Sequence, residues 1–201
     1  MEVATPAADA EQDIAAAEKS VTGLRGDEYT IAGCKVMLCS DPEVFTPTLT
    51  TSLLTERALS HGVAGLSALD LGCGLGPIAI ALAKSGAKQV WAVDLMTKAC
   101  ELARANAALN NVADRVTVVQ GDLCDPVKGK LFDLIVDDVS GVAARVARLS
   151  RWFPSSVPLG GADGTTLTIR MLRSVKEYLA PGGTLFFPIL GLSNRPKIID
   201  A

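Results

Sequence analysis

Aromatic side chains are scarce here. They make up 4% of the 201 residues, so aliphatic side chains must supply most of any core. Imidazole is scarcer still: the single histidine, His61, falls near the end of a helical pattern, where it caps the helix or faces solvent. The five cysteines (Cys34, Cys39, Cys73, Cys100 and Cys124) are odd in number and lack paired C-x-x-C spacing. Cys34 and Cys39 are the nearest pair, and zinc would need two further ligands from a chain with one histidine, so no metal site is expected. Reduced thiols of a cytoplasmic protein are the expected state. No apolar run reaches the ~20 residues of a membrane span. No basic start leads into an apolar segment, as a secretory signal would require. A polybasic run is also missing and the net charge is −3, which argues against a large nucleic-acid footprint. Arg145, Arg148 and Arg151 recur at three-residue spacing, as do Arg170, Arg173 and Lys176. Both sets read as solvated helix faces, with a phosphate-tracking stripe for RNA as the functional alternative.

Aliphatic residues, glycine and unevenly placed charge are what the chain does have. At 49% hydrophobic it can bury one substantial core. Short apolar runs alternate with helical patterns, the signature of a parallel sheet covered on both faces. Residues 1–28 carry seven acids against two bases, whereas residues 29–201 carry 15 acids against 17 bases. The chain therefore divides into an acidic N-terminal segment, expected to be mobile or a marginal helix, and one domain over 29–201.

Leu69-Asp70-Leu71-Gly72-Cys73-Gly74-Leu75-Gly76-Pro77 is the most informative stretch. An apolar run enters it, three alternating glycines form a turn, and a helical pattern follows over Ile78–Ala83. Alternate glycines let the backbone pass close to a ligand. The dinucleotide pattern G-x-G-x-x-G would need glycine at position 77; Pro77 suits the first turn of a helix instead. Val90-Trp91-Ala92-Val93-Asp94 reads as a second strand ending in an acid, 18 residues beyond Gly76. Further strands are expected at Val116–Val119, at Leu131–Val136, and after the Pro181-Gly182-Gly183 turn.

This D-x-G-x-G-x-G turn, with its four following motifs in order over roughly residues 45–198, resembles the class I S-adenosylmethionine-dependent methyltransferases. The resemblance implies a Rossmann-like α/β fold, a mostly parallel sheet with helices on both faces, and S-adenosylmethionine as cofactor. It places Asp70, Gly72, Cys73, Gly74 and Gly76 at the cofactor turn, and Asp94 with Leu95 at the ribose. Asp122 then falls at the adenine amine and Leu123 against the ring. Two regions are similar to the small-domain branch that includes release-factor glutamine and several RNA methyltransferases. One is Val44-Phe45-Thr46-Pro47 ahead of a helical run, with Phe45 and Thr46 at the cofactor; the other is Gly160–Gly164 ahead of another. The branch ends its fourth strand in Asn-Pro-Pro-Tyr, which grips a planar amide or exocyclic amine. Here the chain reads Asp137-Asp138-Val139-Ser140. An ionised acid accepts hydrogen bonds and donates none, so Asp138 suits an amine, guanidinium or hydroxyl, which it could orient and deprotonate. Asp137 would face the methionine end of the cofactor, with Ser140 a second polar contact; the structural alternative is that one of the two acids caps the next helix.

The expectation is thus a methyltransferase acting on a small molecule or peptide, without nucleic acid or membrane. Its alternatives are a non-catalytic cofactor-binding partner subunit, an RNA or protein N-methyltransferase of the small-domain branch, and an aminopropyl transferase. Pro77 disfavours a nicotinamide oxidoreductase. Family members usually carry two more strands than this sequence accommodates, so the sheet edge is expected to be short. A fifth strand left uncovered there would invite homodimerisation. In relatives an N-terminal segment often closes over the site, which gives residues 1–28 a second reading as a flap. Segments 20–50 and 141–163 would build the acceptor pocket, with Tyr29, Phe45, Trp152 and Phe153 as candidate walls.

Overall fold

The structure is a computed structural model that describes residues 26–201. All but the last three residues of the acidic segment 1–28 lie outside the described residues. Asp27 and Glu28 already belong to a strand, β1 (Asp27–Ile31), which pairs antiparallel with β2 (Cys34–Leu38). The two residues between them, Ala32 and Gly33, both have positive φ (49° and 79°). That is the type I′ turn, whose twist matches a two-residue hairpin.

Helix α1 (Leu49–His61) starts at a reciprocal cap: the Thr48 and Thr51 side chains each accept from the other's backbone N–H. The chain then alternates strand and helix: β3 (Ser67–Leu71), α2 (Pro77–Lys84), β4 (Gln89–Asp94), α3 (Thr97–Leu109), β5 (Val116–Gln120) and β6 (Phe132–Asp137). Two shorter helices, α4 (Ala144–Leu149) and α5 (Thr166–Ser174), lead to β7 (Leu179–Phe186) and a final helix α6 (Arg195–Ile199). The strands lie in the order β5-β4-β3-β6-β7, and every pairing is parallel. The expected Rossmann-like α/β architecture is therefore present. The Pro181-Gly182-Gly183 turn differs from expectation. It lies inside β7, where Gly182 takes φ 80° and the register against β6 shifts.

Successive side chains of a strand point to opposite faces, and both faces of this sheet are buried. Ala68, Leu134 and Val136 pack with α1, α2, α3 and the hairpin. Leu69, Leu71 and Ile135 pack against Met171 of α5 and Val175 and Tyr178 beyond it. Helix α2 is buried from Pro77 to Ala83, since hairpin and sheet cover it on two sides; its alanines let those layers approach. The chain runs from β3 outward through β4 and β5, then returns to lay β6 on the other side of β3. In such sheets a crevice opens outside the carboxyl ends of the strands at the point of reversal, here between β3 and β6.

Candidate functional site

A cavity of about 340 Å³ occupies that crevice. Its floor is the turn between β3 and α2. The Gly72 and Cys73 amides both donate to the Val93 carbonyl (2.9 and 3.0 Å), which ties the turn to β4. Gly72 (φ 71°) is close-packed: a Cβ there would lie 3.0 Å from Val139 Cγ1. Gly74 (φ 52°) is open, with only the Phe45 carbonyl, at 3.8 Å, near a Cβ's position. A side chain at Gly74 would enter the cavity, so this is the backbone surface a ligand can approach.

Asp94, at the end of β4, lines the cavity. One carboxyl oxygen accepts from the Gly74 amide and the other from the Met96 amide, both at 2.9 Å. Burial raises its pKa, and these amides pull the other way. Each oxygen keeps a lone pair for a ligand hydroxyl. Leu95, half exposed, forms the adjoining apolar rim together with Leu123, whose φ of 49° is left-handed. Asp122 also lines the cavity and accepts from Arg170 of α5 at 2.7 Å. That ion pair takes Arg170 out of the set expected to be merely solvated.

The two acids after β6 diverge. Asp138 reaches the cavity, and the Thr51 hydroxyl of α1 donates to its Oδ2 at 2.9 Å. Burial lifts its carboxyl to about 6 against the pull of that hydrogen bond. Asp137 does not line the cavity. It shares a face with Ile135, is 1% exposed, and neither of its oxygens has a partner of good hydrogen-bond geometry. Burial carries it to about 8, with the Val139 amide offering partial relief and Asp138 adding repulsion. Its expected contact with the cofactor is therefore corrected: Asp137 lies beneath the site. Neither acid caps α4, whose N-cap is Ala143 and which has no side-chain cap. Ser140 does line the cavity, with its buried hydroxyl lacking a partner.

Two further positions move from binding to support. Asp70 is fully buried and off the cavity; its Oδ2 accepts from the Ala79 amide at 3.1 Å and so fixes the first turn of α2. Burial, then Asp138, raises its pKa well above the carboxylate range. Gly76 (φ 80°) is the left-handed cap of α2, and a Cβ there would come 3.3 Å from that of Ala103 on α3. It serves helix packing. Cys73 lines the cavity as a buried thiol whose pKa burial raises further.

Phe45 and Thr46 stand on the cavity wall as expected, and half-exposed Trp152 joins them, 6.3 Å from the Phe45 ring. Phe153 packs edge-on behind Phe45 at 4.9 Å, whereas Tyr29, on β1 of the hairpin, packs half-buried against the core and takes no part. Thr51, Leu190 and Leu192 are lining residues that sequence reasoning missed. Among the described residues no helix is long and apolar enough to cross a membrane.

An open glycine cradle, an acid with free lone pairs, an apolar rim and an unpartnered hydroxyl fit an adenosine bearing a charged tail. Comparison with known proteins agrees. The methyltransferase small-domain family matches residues 35–138. A release factor glutamine methyltransferase of Geobacter sulfurreducens is 32% identical over 181 residues, 83% of this chain and 63% of that protein. A Methanocaldococcus jannaschii protein assigned as a protein N5-glutamine methyltransferase is 33% identical over 170 residues, 85% of this chain and 83% of that one. A ribosomal protein L11 methylase structure from Lactobacillus delbrueckii superposes with a TM-score of 0.54 at 27% identity, covering 72% of this chain and 61% of that one. This chain thus spans less than two thirds of the Geobacter and Lactobacillus relatives. It belongs to the methyltransferase small-domain family, whose members use S-adenosylmethionine.

Proposed function

We propose that this protein transfers a methyl group from S-adenosylmethionine to a primary amine carried by a peptide or protein. The observation that supports the acceptor is Asp138, an acid at the cavity wall where the related branch carries asparagine, with one oxygen held by Thr51. When bound, S-adenosylmethionine supplies an electrophilic methyl group. The glycine turn and Asp94 hold the nucleoside, and Leu95 and Leu123 cover its flat face. Asp138 Oδ1 accepts an N–H of the acceptor and takes its proton, with Thr51 keeping the carboxylate aimed. Phe45 and Trp152 keep water from the mouth of the cavity. Holding the nucleophile in line carries much of the rate, because displacement at a methyl group needs little else.

A glutamine amide is the second reading, favoured by what the Geobacter and Methanocaldococcus relatives are named for. Peptides presenting a lysine amine, an arginine guanidinium, a serine hydroxyl or a glutamine amide, incubated with the donor, separate the two by the mass of an added methylene. Transfer to lysine is the expected result, with turnover at saturating donor reduced about 10²-fold in Asp138→Asn. Transfer to glutamine that survives Asp138→Asn would overturn the proposal, and donor binding without transfer to any acceptor would point to a partner subunit.

A further inference from the structure

Four carboxylates gather under and around the cavity without a cation. β3 and β6 run side by side, with Leu71 opposite Asp137 and the Asp138 amide donating to the Leu71 carbonyl at 3.0 Å. This brings Asp70 of β3 beside Asp138 on one face, with Asp137 on the other and Asp94 at the end of β4. Among the described residues the ion pairs form elsewhere: Glu28–Lys35, Asp41–Lys98, Asp114–Arg115, Asp122–Arg170 and Asp163–Lys197. Among the described residues no lysine or arginine forms an ion pair with any of the four. Asp70 keeps one oxygen unpartnered and Asp137 both.

We propose that the floor acids, Asp137 foremost with Asp70 and Asp138, hold protons in the empty cavity and give one up when a cationic ligand enters, so that binding itself distinguishes the charged donor from its uncharged thioether product. The inference rests on the proposed use of S-adenosylmethionine. A carboxylate buried without a counter-charge costs several kcal/mol, and protonation is the usual relief. The raised pKa values of all three acids agree with this. The sulfonium brings the positive charge that the floor lacks, in surroundings where water screens little. S-adenosylhomocysteine keeps the rest of the molecule, its amino-acid tail included, and lacks only the methyl group and with it that charge.

Among the described residues the other titratable groups facing these acids do not supply a cation. Cys124 lies toward Asp137, with Asp125 and Tyr178 next to that thiol, while Asp94 and Cys73 lie toward Asp70, with Cys100 beside Cys73. Helix α1 offers Asp138 only the Thr51 hydroxyl, and Arg170 of α5 is engaged by Asp122.

Calorimetric titration with both nucleosides, from about pH 5.5 to about pH 8.5 and in buffers of different ionisation enthalpy, counts the protons directly. S-adenosylmethionine should release protons on binding and S-adenosylhomocysteine far fewer. The ratio of their Kd values should then move in favour of the charged donor, on the order of tenfold, as pH rises. Asp137→Asn, which has the shape of the protonated side chain, should flatten that trend. A ratio independent of pH with no proton release would overturn this inference and leave the donor assignment standing. An unaltered trend in Asp137→Asn would remove Asp137 from it. Failure of both nucleosides to bind at every pH would overturn the donor assignment as well.

Discussion

Thr51 tunes Asp138 as much as it aims it. The hydroxyl donates to the carboxylate and so favours its charged form, which offsets part of the burial that lifts this acid to about 6. Thr51→Val keeps the shape and deletes the donor. A hydrogen bond to a charged group contributes about 1.5–3 kcal/mol, so the acid limb of the pH–rate profile should move upward by about one pH unit. The alkaline plateau should change much less. A uniform fall in kcat with an unmoved profile would mean that Thr51 only supports α1. No reading of the sequence could have found this pair, because 87 residues separate the partners. Asp94, Gly72 and Gly74 were legible for the opposite reason: a tight turn after a strand fixes where its residues point within a few positions. The same motif misled at Asp70 and Gly76. Residues of a binding turn include those that hold its backbone, and spacing alone does not separate the acid that meets a ligand from the one that fixes a helix start. Asp137 was misplaced by the period of two in a strand, which sends neighbours to opposite faces.

The hairpin of β1 and β2 is fastened to the site by two asparagines of the α3 segment. Asn106 is fully buried; its Oδ1 accepts from the Cys39 amide at 2.8 Å, and its Nδ2 donates to the carbonyls of Cys39 (3.2 Å) and Leu75 (2.9 Å). Leu75 belongs to the glycine turn, so one side chain holds hairpin, helix and cofactor floor in register. Asn110 repeats the arrangement at Met37, accepting from its amide and donating to its carbonyl. Asn106→Ala would leave three buried backbone groups unpaired, at about 1–3 kcal/mol for each that water cannot reach. Denaturant titration should show a loss on the order of 3 kcal/mol or more, along with weaker donor binding; a loss below about 1 kcal/mol would mean that water enters and replaces the amide. The five parallel strands were readable as apolar runs because burial on both faces removes alternation. The hairpin was not. Its turn is Ala32-Gly33, without the Asn-Gly or Asp-Gly pair that usually marks a type I′ turn, and its exposed residues outnumber its buried ones.

Across the whole molecule, buried acids set how stability depends on pH. Asp137 has an ordinary unfolded value near 3.9 and a folded one of about 8. The native state thus binds its proton more tightly than the unfolded chain does. The stability this contributes is complete below about pH 4 and is lost as pH rises toward about 8. Asp138 acts in the same direction and is spent by about 6, and Asp70 shares the sign. Asp163, held down at about 2 by Lys197 and Thr165, has the opposite sign: its contribution is present above about pH 4 and lost only in strong acid, and for a partly exposed group it is small. The acids of the floor therefore dominate, and the ligand-free protein should be more stable at about pH 5 than at about pH 8.5, by an amount on the order of a few kcal/mol. Urea midpoints at the two pH values measure this directly, and Asp137→Asn should be less sensitive to the change. Equal stability at both, with the variant indifferent, would mean that Asp137 is solvated in solution. The same linkage predicts where the donor stabilises most. A cation that takes the place of the lost protons relieves the floor when it is ionised, so saturating S-adenosylmethionine should raise Tm more at the alkaline end than at the acid end, and S-adenosylhomocysteine should show no such bias.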